Sequence, residues 1–364
     1  MYPHARTPGK PSGLGRGPLL AAAILLAAVS AAGCGRAAGV VFDPANSVHR
    51  WPTPPDEPRI EFVGELRTSD DLKPARGPGK SLGDLLFGKE PPAEMVSPLG
   101  VCTDGGTRVF VADSGGRIVH VFDLGKRTYQ RWSPPAGKPA FVQPVAVAWD
   151  PAGPNGRLLV SDSGAAEVFV FDGEGRYAGA FGGGLLKRPC GVAVHPLDDR
   201  LFVVDTGAHQ IVAFNREGTE VARIGQRGTG PGEFNYPTNA AFDRSARLYV
   251  GDTLNFRVQV FDAGLEPIGQ VGSKGDLPGY FSQPKGVSVD PQGRLYVVDA
   301  NFEAVQVFNA EGKLLMTFGK EGRGPGEFWL PAGIYADGSG LIWVADSYNR
   351  RVQVFRSIGE GVSP

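Results

Sequence analysis

Segments of four to six mostly apolar residues recur along the chain, separated by short stretches rich in Gly, Asp and Pro. Segments of this length, bounded by turn-forming residues, predict β-strands joined by tight turns. In the segment 294–300 (RLYVVDA) four successive residues, Leu, Tyr, Val and Val, are apolar. A strand that is apolar on both faces lies between two sheets, so the pattern predicts short, buried strands in stacked sheets.

One unit occurs six times. It contains an apolar strand that ends in Asp, a short loop, and a second strand that ends in Phe nine residues after the Asp. Successive aspartates are 49, 43, 47, 47 and 47 residues apart, so the spacing inside the unit is fixed although the spacing between units varies. The aspartates are Asp113, Asp162, Asp205, Asp252, Asp299 and Asp346. The phenylalanines are Phe122, Phe171, Phe214, Phe261, Phe308 and Phe355.

Each unit begins with a proline followed by a short apolar strand, and after its Phe a turn leads to another strand. Four strands in about 40–45 residues are typical of a propeller blade. A solenoid would also repeat, but with one or two elements per repeat and with capped ends. We therefore predict an all-β, six-bladed β-propeller of four-stranded antiparallel blades over residues 98–356.

The sixth unit lacks a fourth strand, because only the tail 357–364 follows it. The segment 59–67 (RIEFVGELR) resembles the fourth strands of the other units. We predict that it completes the last blade, since this closure removes an exposed edge; the alternative is a simple linker strand. Residues 68–97 then form a connector, with a possible short helix at 81–88.

The first 33 residues have the pattern of a lipoprotein signal peptide. A basic leader precedes the apolar segment 19–32, which is shorter than the ~20 residues needed to cross a bilayer. The small residues before Cys34 resemble a bacterial lipobox, although Ala31 stands where that motif usually has Leu. This resemblance implies that Cys34 is acylated, with Gly35 favouring the outer membrane of the bacterial cell envelope; an ordinary cleaved signal is the alternative. Residues 34–58 are Pro-rich and predict an extended tether.

The amino-acid composition and net charge exclude only a few classes of fold and function. The 53 Gly and 31 Pro oppose a helix-rich fold. A net charge of −1 gives no electrostatic reason to expect nucleic acid. Membrane contact is expected through the lipid alone. Cys102 and Cys190 occupy non-equivalent positions in different units, so we expect two separate buried thiols rather than a disulfide.

The units resemble NHL repeats. The connectors 225–237 and 319–331 (GQRGTGPGEFNYP and GKEGRGPGEFWLP) carry this resemblance, together with the Asp-x-x-Asn-x-Arg pattern at 252–257 and 346–351. The whole chain is also similar to bacterial lipoproteins with six-bladed propellers. NHL propellers serve as protein-binding, RNA-binding and enzymatic scaffolds, so the resemblance implies a fold more than a function.

Metal and catalytic chemistry have weak support in the sequence. The six repeated aspartates suit a structural role, because a carboxylate at a strand end can accept N–H bonds from the following turn. The histidines of the units lie in different blade layers, whereas a catalytic zinc needs three convergent ligands; we expect His120 on the solvent side of its strand. The strand starts expected to line the channel offer no ring of carboxylates: Leu99, Val145, Cys190, Thr238, Lys285 and Ala332. We predict no catalytic residue, no metal and no cofactor.

The remaining candidate is the propeller face formed by the Asp loops and the connectors between blades. Its Arg, aromatic and Asn residues are types common in protein interfaces. The candidates are Arg117, His209, Asn255, Phe256, Arg257, Phe302, Glu303, Tyr348, Asn349, Arg350 and Arg351. We predict a scaffold at the cell envelope that binds a protein or small ligand. The alternatives are a metal-dependent lyase or hydrolase of the six-bladed type and a purely structural envelope protein.

Overall fold

The computed structural model describes residues 39–42, 49–74 and 91–358. Two strands precede the repeats, β1 (Arg50–Trp51) and β2 (Ile60–Leu66), and a 3-10 helix follows at Ser69–Leu72. Blade 1 contains β3 (Pro98–Thr103), β4 (Arg108–Asp113), β5 (Ile118–Asp123) and β6 (Thr128–Trp132). Blade 2 contains β7 (Pro144–Asp150), β8 (Arg157–Asp162), β9 (Glu167–Asp172) and β10 (Tyr177–Phe181). Blade 3 contains β11 (Pro189–Val194), β12 (Leu201–Asp205), β13 (Gln210–Phe214) and β14 (Glu220–Ile224).

The remaining blades follow the same plan. Blade 4 contains β15 (Pro237–Phe242), β16 (Leu248–Asp252), β17 (Arg257–Phe261) and β18 (Pro267–Val271). Blade 5 contains β19 (Pro284–Val289), β20 (Leu295–Asp299), β21 (Ala304–Phe308) and β22 (Leu314–Phe318). The connector to blade 6 contains a short parallel pair, β23 (Lys320–Glu321) and β24 (Glu327–Phe328). The repeats of blade 6 supply β25 (Ile334–Ala336), β26 (Leu341–Asp346) and β27 (Arg351–Ser357).

The predicted propeller and its closure are confirmed. Blades 1 to 5 are four-stranded antiparallel sheets in which the strands pair in chain order. In blade 6 the N-terminal strand β2 pairs with β27 and places Phe62 opposite Phe355. β1 adds a fifth strand to this sheet, within the segment that composition assigned to the tether, and its Trp51 ring packs 5.8 Å from the ring of Phe355.

The core is divided among six clusters, each between two neighbouring blades. The cluster between blades 1 and 2 includes Phe110, Leu158 and Phe171. All six repeated phenylalanines are at most 1% exposed. Because the middle strands are covered by a blade on each side, both of their faces are apolar, as the sequence pattern requires.

Hydroxyl groups link the blades near the axis. In blade 6 the Ser347 hydroxyl donates to the carbonyl oxygen of Pro98 in blade 1 at 2.6 Å. In blade 4 the Thr253 hydroxyl makes the equivalent bond to Pro284 at 2.7 Å. The first of these bonds joins residues from the two ends of the repeat array, so it belongs to the closure of the ring.

Strand register defines two faces. Pro98 pairs with Asp113, so the start of each innermost strand lies at the same end as the Asp loop of its blade. We call this end, which carries the Asp loops and the connectors between blades, the loop face. The opposite end carries the turns within each blade between its first and second strands and between its third and fourth strands, and we call it the turn face.

Several sequence predictions concern residues outside the described ranges. The signal segment 1–33, Cys34, the possible helix at 81–88 and the last six residues of the chain all lie there. Among the residues that the structure does describe, none forms a helix long and apolar enough to cross a membrane.

Candidate functional site

The repeated aspartates organise the loop face. Each is 0% exposed. The Asp113 carboxylate accepts N–H bonds from Val96 and Ser97 in the preceding connector at 2.7 and 2.9 Å, and from Gly116 in its own loop at 2.8 Å. Each of the other five also accepts at least one connector N–H. The aspartates therefore fasten every connector to the Asp loop of the blade that it enters. The bonds from loop N–H groups that the sequence suggested are present for Asp113, Asp162 and Asp299.

In blades 4 and 6 a buried arginine extends this arrangement. Arg351 donates from Nε to Asp346 at 2.7 Å and from Nη2 to two carbonyl oxygens of the preceding connector. Its Nη1 donates to Glu65 on the closing strand β2 at 2.8 Å. Burial alone would raise the pKa of Glu65, but hydrogen bonds and charge from Arg67 and Arg351 hold it below its ordinary value.

His120 takes this place in blade 1, and our prediction that it faces solvent is wrong. The ring is 1% exposed, with Nε2 2.9 Å from Asp113 and Nδ1 2.8 Å from the Tyr129 hydroxyl. The physical reason is that blade 1 has Ile118 where blades 4 and 6 have arginine. A histidine two residues further along the strand then supplies the partner that a buried carboxylate requires.

The predicted binding-face residues divide into two groups. Five are directed into the protein as part of this bracing; all are buried except one, which is half-buried: His209, Asn255, Arg257, Asn349 and Arg351. The other six are exposed or half-buried on the loop face: Arg117, Phe256, Phe302, Glu303, Tyr348 and Arg350. Thus the Asn and Arg of the Asp-x-x-Asn-x-Arg pattern hold the loop, whereas the residues between them are presented at the surface.

Connector and loop meet at one position in each blade. A Cβ atom built on Gly115 would lie 2.6 Å from Val96, and one built on Gly164 would lie 2.6 Å from Val142. We call these positions the loop-face pairs. In blade order they are Val96/Gly115, Val142/Gly164, Lys187/Gly207, Asn235/Leu254, Ser282/Asn301 and Trp329/Tyr348. All six loops have a residue with left-handed φ four positions after the aspartate, so the loops share this turn and the pairs differ in the side chains that they present.

Blade 6 presents an aromatic pair. The rings of Trp329 and Tyr348 are 5.4 Å apart, and the Arg323 guanidinium lies 4.8 Å above the Trp329 ring. Tyr348 is 59% exposed. The sequence reasoning missed Trp329, although a tryptophan at a connector position that holds Val, Lys, Asn or Ser in the other blades was a visible signal.

Exposed apolar side chains are concentrated on the loop face. Of the thirteen large hydrophobic residues that are exposed within the described ranges, nine lie in connectors or Asp loops. Trp329 and Tyr348 in blade 6, Val96 in blade 1 and Val142 in blade 2 belong to successive blades of the ring, and we call these four residues the apolar arc. The pairs of blades 3 to 5 present mostly polar or charged side chains.

A cavity of about 380 Å³ occupies the channel toward the turn face. It is lined by the middle and end of the innermost strands and by the turns that follow them, including Asn239, Phe242 and Arg244 of blade 4. The strand-start residues that the sequence analysis expected to line the channel are all half-buried, near the loop-face end of the innermost strands, and Cys190 among them is therefore not the buried thiol that was expected. None of those six residues lines the cavity, because each lies one position nearer the loop face, at the bulge that follows the proline. One of them, Lys285, has its pKa lowered by burial, an effect that Asp299 partly opposes.

The carboxylates of the cavity are already engaged. Asp243 lies 2.6 Å from Arg247, and Asp290 lies 2.6 Å from Arg294. Within the described part of the chain there is no group of three or more His, Cys, Asp or Glu residues arranged to hold a metal ion. The histidine that follows β11, His195, is buried with Nδ1 2.8 Å from Asp198, and burial lowers its pKa.

Family models agree with this architecture. A model described as a 6-bladed beta-propeller matches residues 192–271, and the NHL repeat model matches residues 281–308 and 328–355. The chain is a six-bladed β-propeller with NHL repeats. No curated protein matches it significantly by sequence.

Solved structures show the same fold at low sequence identity. A protein of unknown function from Bacteroides thetaiotaomicron is 17% identical, with a TM-score of 0.58 over 72% of this chain and 70% of that one. An auxiliary nutrient binding protein from the same organism is 12% identical, with a TM-score of 0.58 over 72% and 69%. The virginiamycin B lyase of Staphylococcus aureus is 13% identical, with a TM-score of 0.53 over 72% and 96%. At such identities the likeness concerns the fold alone.

Proposed function

We propose that this NHL propeller is a binding scaffold of the bacterial cell envelope that holds a protein partner through the apolar arc of its loop face. The observation that carries the proposal is the packed ring pair Trp329/Tyr348 on a face that holds nine of the thirteen exposed large hydrophobic residues in the described ranges, four of them in the apolar arc. Scattered surface hydrophobic residues need no explanation, but a cluster rimmed by polar groups marks an interaction site.

The chemistry of blade 6 supports a protein as the partner. Trp, Tyr and Arg dominate the binding energy of protein interfaces because they bury large areas and keep a polar group for hydrogen bonding. Trp329, Tyr348 and Arg323 form one stacked group. Val96, on the next blade of the ring, is 50% exposed and adds an aliphatic side chain to the same face.

The envelope location belongs to the same proposal. A lipid on Cys34 would hold the chain at the membrane, because a lipoprotein cysteine carries several acyl chains and two or more suffice for stable anchoring. The names of fold neighbours that are auxiliary nutrient binding proteins are in keeping with a binding role. We place the protein on the outer membrane, with no nucleic-acid partner.

The test is a pull-down from native membranes with the purified protein as bait. Partners should be captured by the natural protein and lost when Trp329→Ala and Tyr348→Ala are combined. The matched control is Ile268→Ala, which removes an equally exposed apolar side chain (56% exposed) from the outer strand of blade 4. Partners retained by the double variant would exclude the apolar arc as the site. One equivalent of zinc or calcium in the purified protein would favour the enzyme alternative instead.

A further inference from the structure

The innermost strands contain one exception to their repeated pattern. The position two residues after the proline is Gly or Ala in five blades and Asn in blade 4. In blade order these residues are Gly100, Ala146, Gly191, Asn239, Gly286 and Gly333. Strand pairing shows that Gly100, Ala146 and Asn239 occupy equivalent register positions, each next after the paired proline.

Small residues at this position allow neighbouring blades to approach each other. A Cβ atom on Gly333 would lie 2.3 Å from the carbonyl oxygen of Leu99, and one on Gly286 would lie 2.5 Å from that of Ala332. These contacts are with backbone atoms, so a side chain there would force the blades apart. In blade 4 this position holds the side-chain amide of Asn239, whereas the other five blades have only a hydrogen atom or a methyl group there.

The Asn239 amide has no role in holding the fold. Throughout the ranges that the structure describes it makes no side-chain hydrogen bond, and neither of its polar atoms is sealed from solvent. It lines the part of the cavity nearest the loop face, because it pairs with Gly251, next to the Asp loop. A side-chain amide offers two donors and an acceptor with two lone pairs. The cavity therefore contains a polar group that is free to form hydrogen bonds with a ligand.

The charges around the cavity leave one cation available. Asp243 and Asp290 are each neutralised by an arginine of their own turn. Asp337, beside the cavity, is held by the Trp343 indole N–H at 2.9 Å and by backbone N–H groups of its turn. Arg244 lines the cavity, is exposed, and forms no ion pair with any described residue.

Most of the remaining side chains of the wall are apolar; the exception is Ser288, whose hydroxyl oxygen accepts the Ala336 N–H at 2.9 Å. Side chains of Val, Ala and Ile from all six innermost strands line the cavity, with the rings of Trp149, Phe242 and Tyr335. The volume of about 380 Å³ lies in the range of ~300–1,000 Å³ that small-molecule sites occupy. We infer that this cavity binds a small, mainly apolar acid, which places its apolar body in the channel, its anionic group on Arg244 and a hydrogen-bonding group on Asn239. This site is separate from the apolar arc, which lies on the opposite face.

Two fluorescent probes that differ by one group can test this inference. Anilinonaphthalene sulfonate has an apolar aromatic body and one anionic group, and N-phenyl-1-naphthylamine is the same body without the sulfonate. Both should be titrated into the exported full chain carrying Cys34→Ala, which would need no detergent. We expect saturable one-to-one binding of both, with the sulfonate probe preferred by about fivefold or more, equivalent to about 1 kcal/mol.

Three variants locate the site. Arg244→Glu should abolish the preference for the sulfonate probe and leave the neutral probe nearly unchanged. Gly338→Trp should weaken both probes by about tenfold or more, because Gly338 lines the cavity and a Cβ atom there meets nothing within 4 Å. Asn239→Leu should weaken both probes severalfold. Lys138→Glu, the same charge change at an exposed connector residue of the loop face, should change neither affinity.

Clear results would overturn the inference. Absence of saturable binding of either probe below about 1 mM, the weak end of measurable affinity, would contradict it. So would affinities unchanged by Gly338→Trp in a variant that retains the natural melting temperature. Loss of probe binding on combining Trp329→Ala with Tyr348→Ala would show that the probes bind the apolar arc instead.

Discussion

Replacing Arg351 with methionine should destabilise the propeller more than almost any other single substitution in its loops. The side chain is 1% exposed, and its guanidinium joins the Asp346 carboxylate, the connector from blade 5 and Glu65 of the closing strand. Methionine keeps a similar length without the charge. The variant therefore retains most of the packing and loses the hydrogen bonds.

The size of the stability loss follows from the hydrogen-bond partners that Asp346 keeps. After the substitution Asp346 is still 0% exposed and keeps the Asn349 amide at 2.9 Å and the Trp329 N–H at 2.8 Å, but it has no cation. Removing one member of a buried ion pair costs about 3–5 kcal/mol. For a propeller of about 300 residues, with an unfolding entropy of about 2.1 cal/mol/K per residue, that corresponds to a fall in Tm of about 5–8 °C.

Arg257→Met in blade 4 is the matched control. Arg257 makes the same contacts with Asp252 and with two connector carbonyl oxygens, but its fourth bond goes to Gln270 of its own blade. We expect both variants to lose stability, and the excess in Arg351→Met to disappear when Glu65→Gln is already present. Thermal and urea unfolding followed by tryptophan fluorescence measure this. Losses below about 1 kcal/mol in both variants would refute the view that these arginines hold the ring.

Three further predictions test other features. Burial raises the pKa of Asp113, but hydrogen bonds from His120 and from backbone N–H groups outweigh it and lower the pKa from 3.8 to about 2. The stability that the ionised carboxylate contributes is therefore complete above about pH 4 and is lost as the pH falls towards 2. The difference in free energy of unfolding between the natural protein and Asp113→Asn should close over that interval in urea titrations. Gly333→Ala should lower the free energy of unfolding by about 2 kcal/mol or more, whereas Gly269→Ala, where a Cβ atom meets nothing within 4 Å, should cost under about 1 kcal/mol. Cys34→Ala should move the protein from the membrane to the soluble fraction on immunoblots, and unchanged membrane retention would disprove lipidation.

The propeller could be predicted because the sequence signals that identify its blades are local and occur six times. The fixed Asp-to-Phe spacing and the continuous apolar strands identify blades, and a missing fourth strand at one end matches a spare strand at the other. β2 pairs with β27 as expected. β1 could not be predicted, because a two-residue strand in a Pro-rich segment has no periodicity of its own.

The directions of loop side chains could not be read from the sequence. Asn255 and Arg257 follow Asp252 by three and five residues, and both return to its carboxylate, at 2.8 and 2.9 Å. Phe256 between them adopts a left-handed φ of 56° and is half-buried at the surface. Residue type alone suggested that all three belong to an interface. The backbone geometry instead directs Asn255 and Arg257 to the aspartate and leaves Phe256 at the surface.

The repeat itself helps to separate folding from function in this molecule. Closing a ring of six blades requires the same few contacts at every junction, so the residues that make them recur: an aspartate, a phenylalanine and a small residue on the innermost strand. An equivalent position that holds different side chains in the six blades is under no such constraint. Asn239 and the pair Trp329/Tyr348 are departures of this kind, and neither side-chain set is needed to join the blades. Asn239 lies inside the channel, in a cavity that extends towards the turn face, whereas Trp329 and Tyr348 lie on the outside of the loop face. A partner on the loop face and a small molecule in the channel can therefore be bound at the same time.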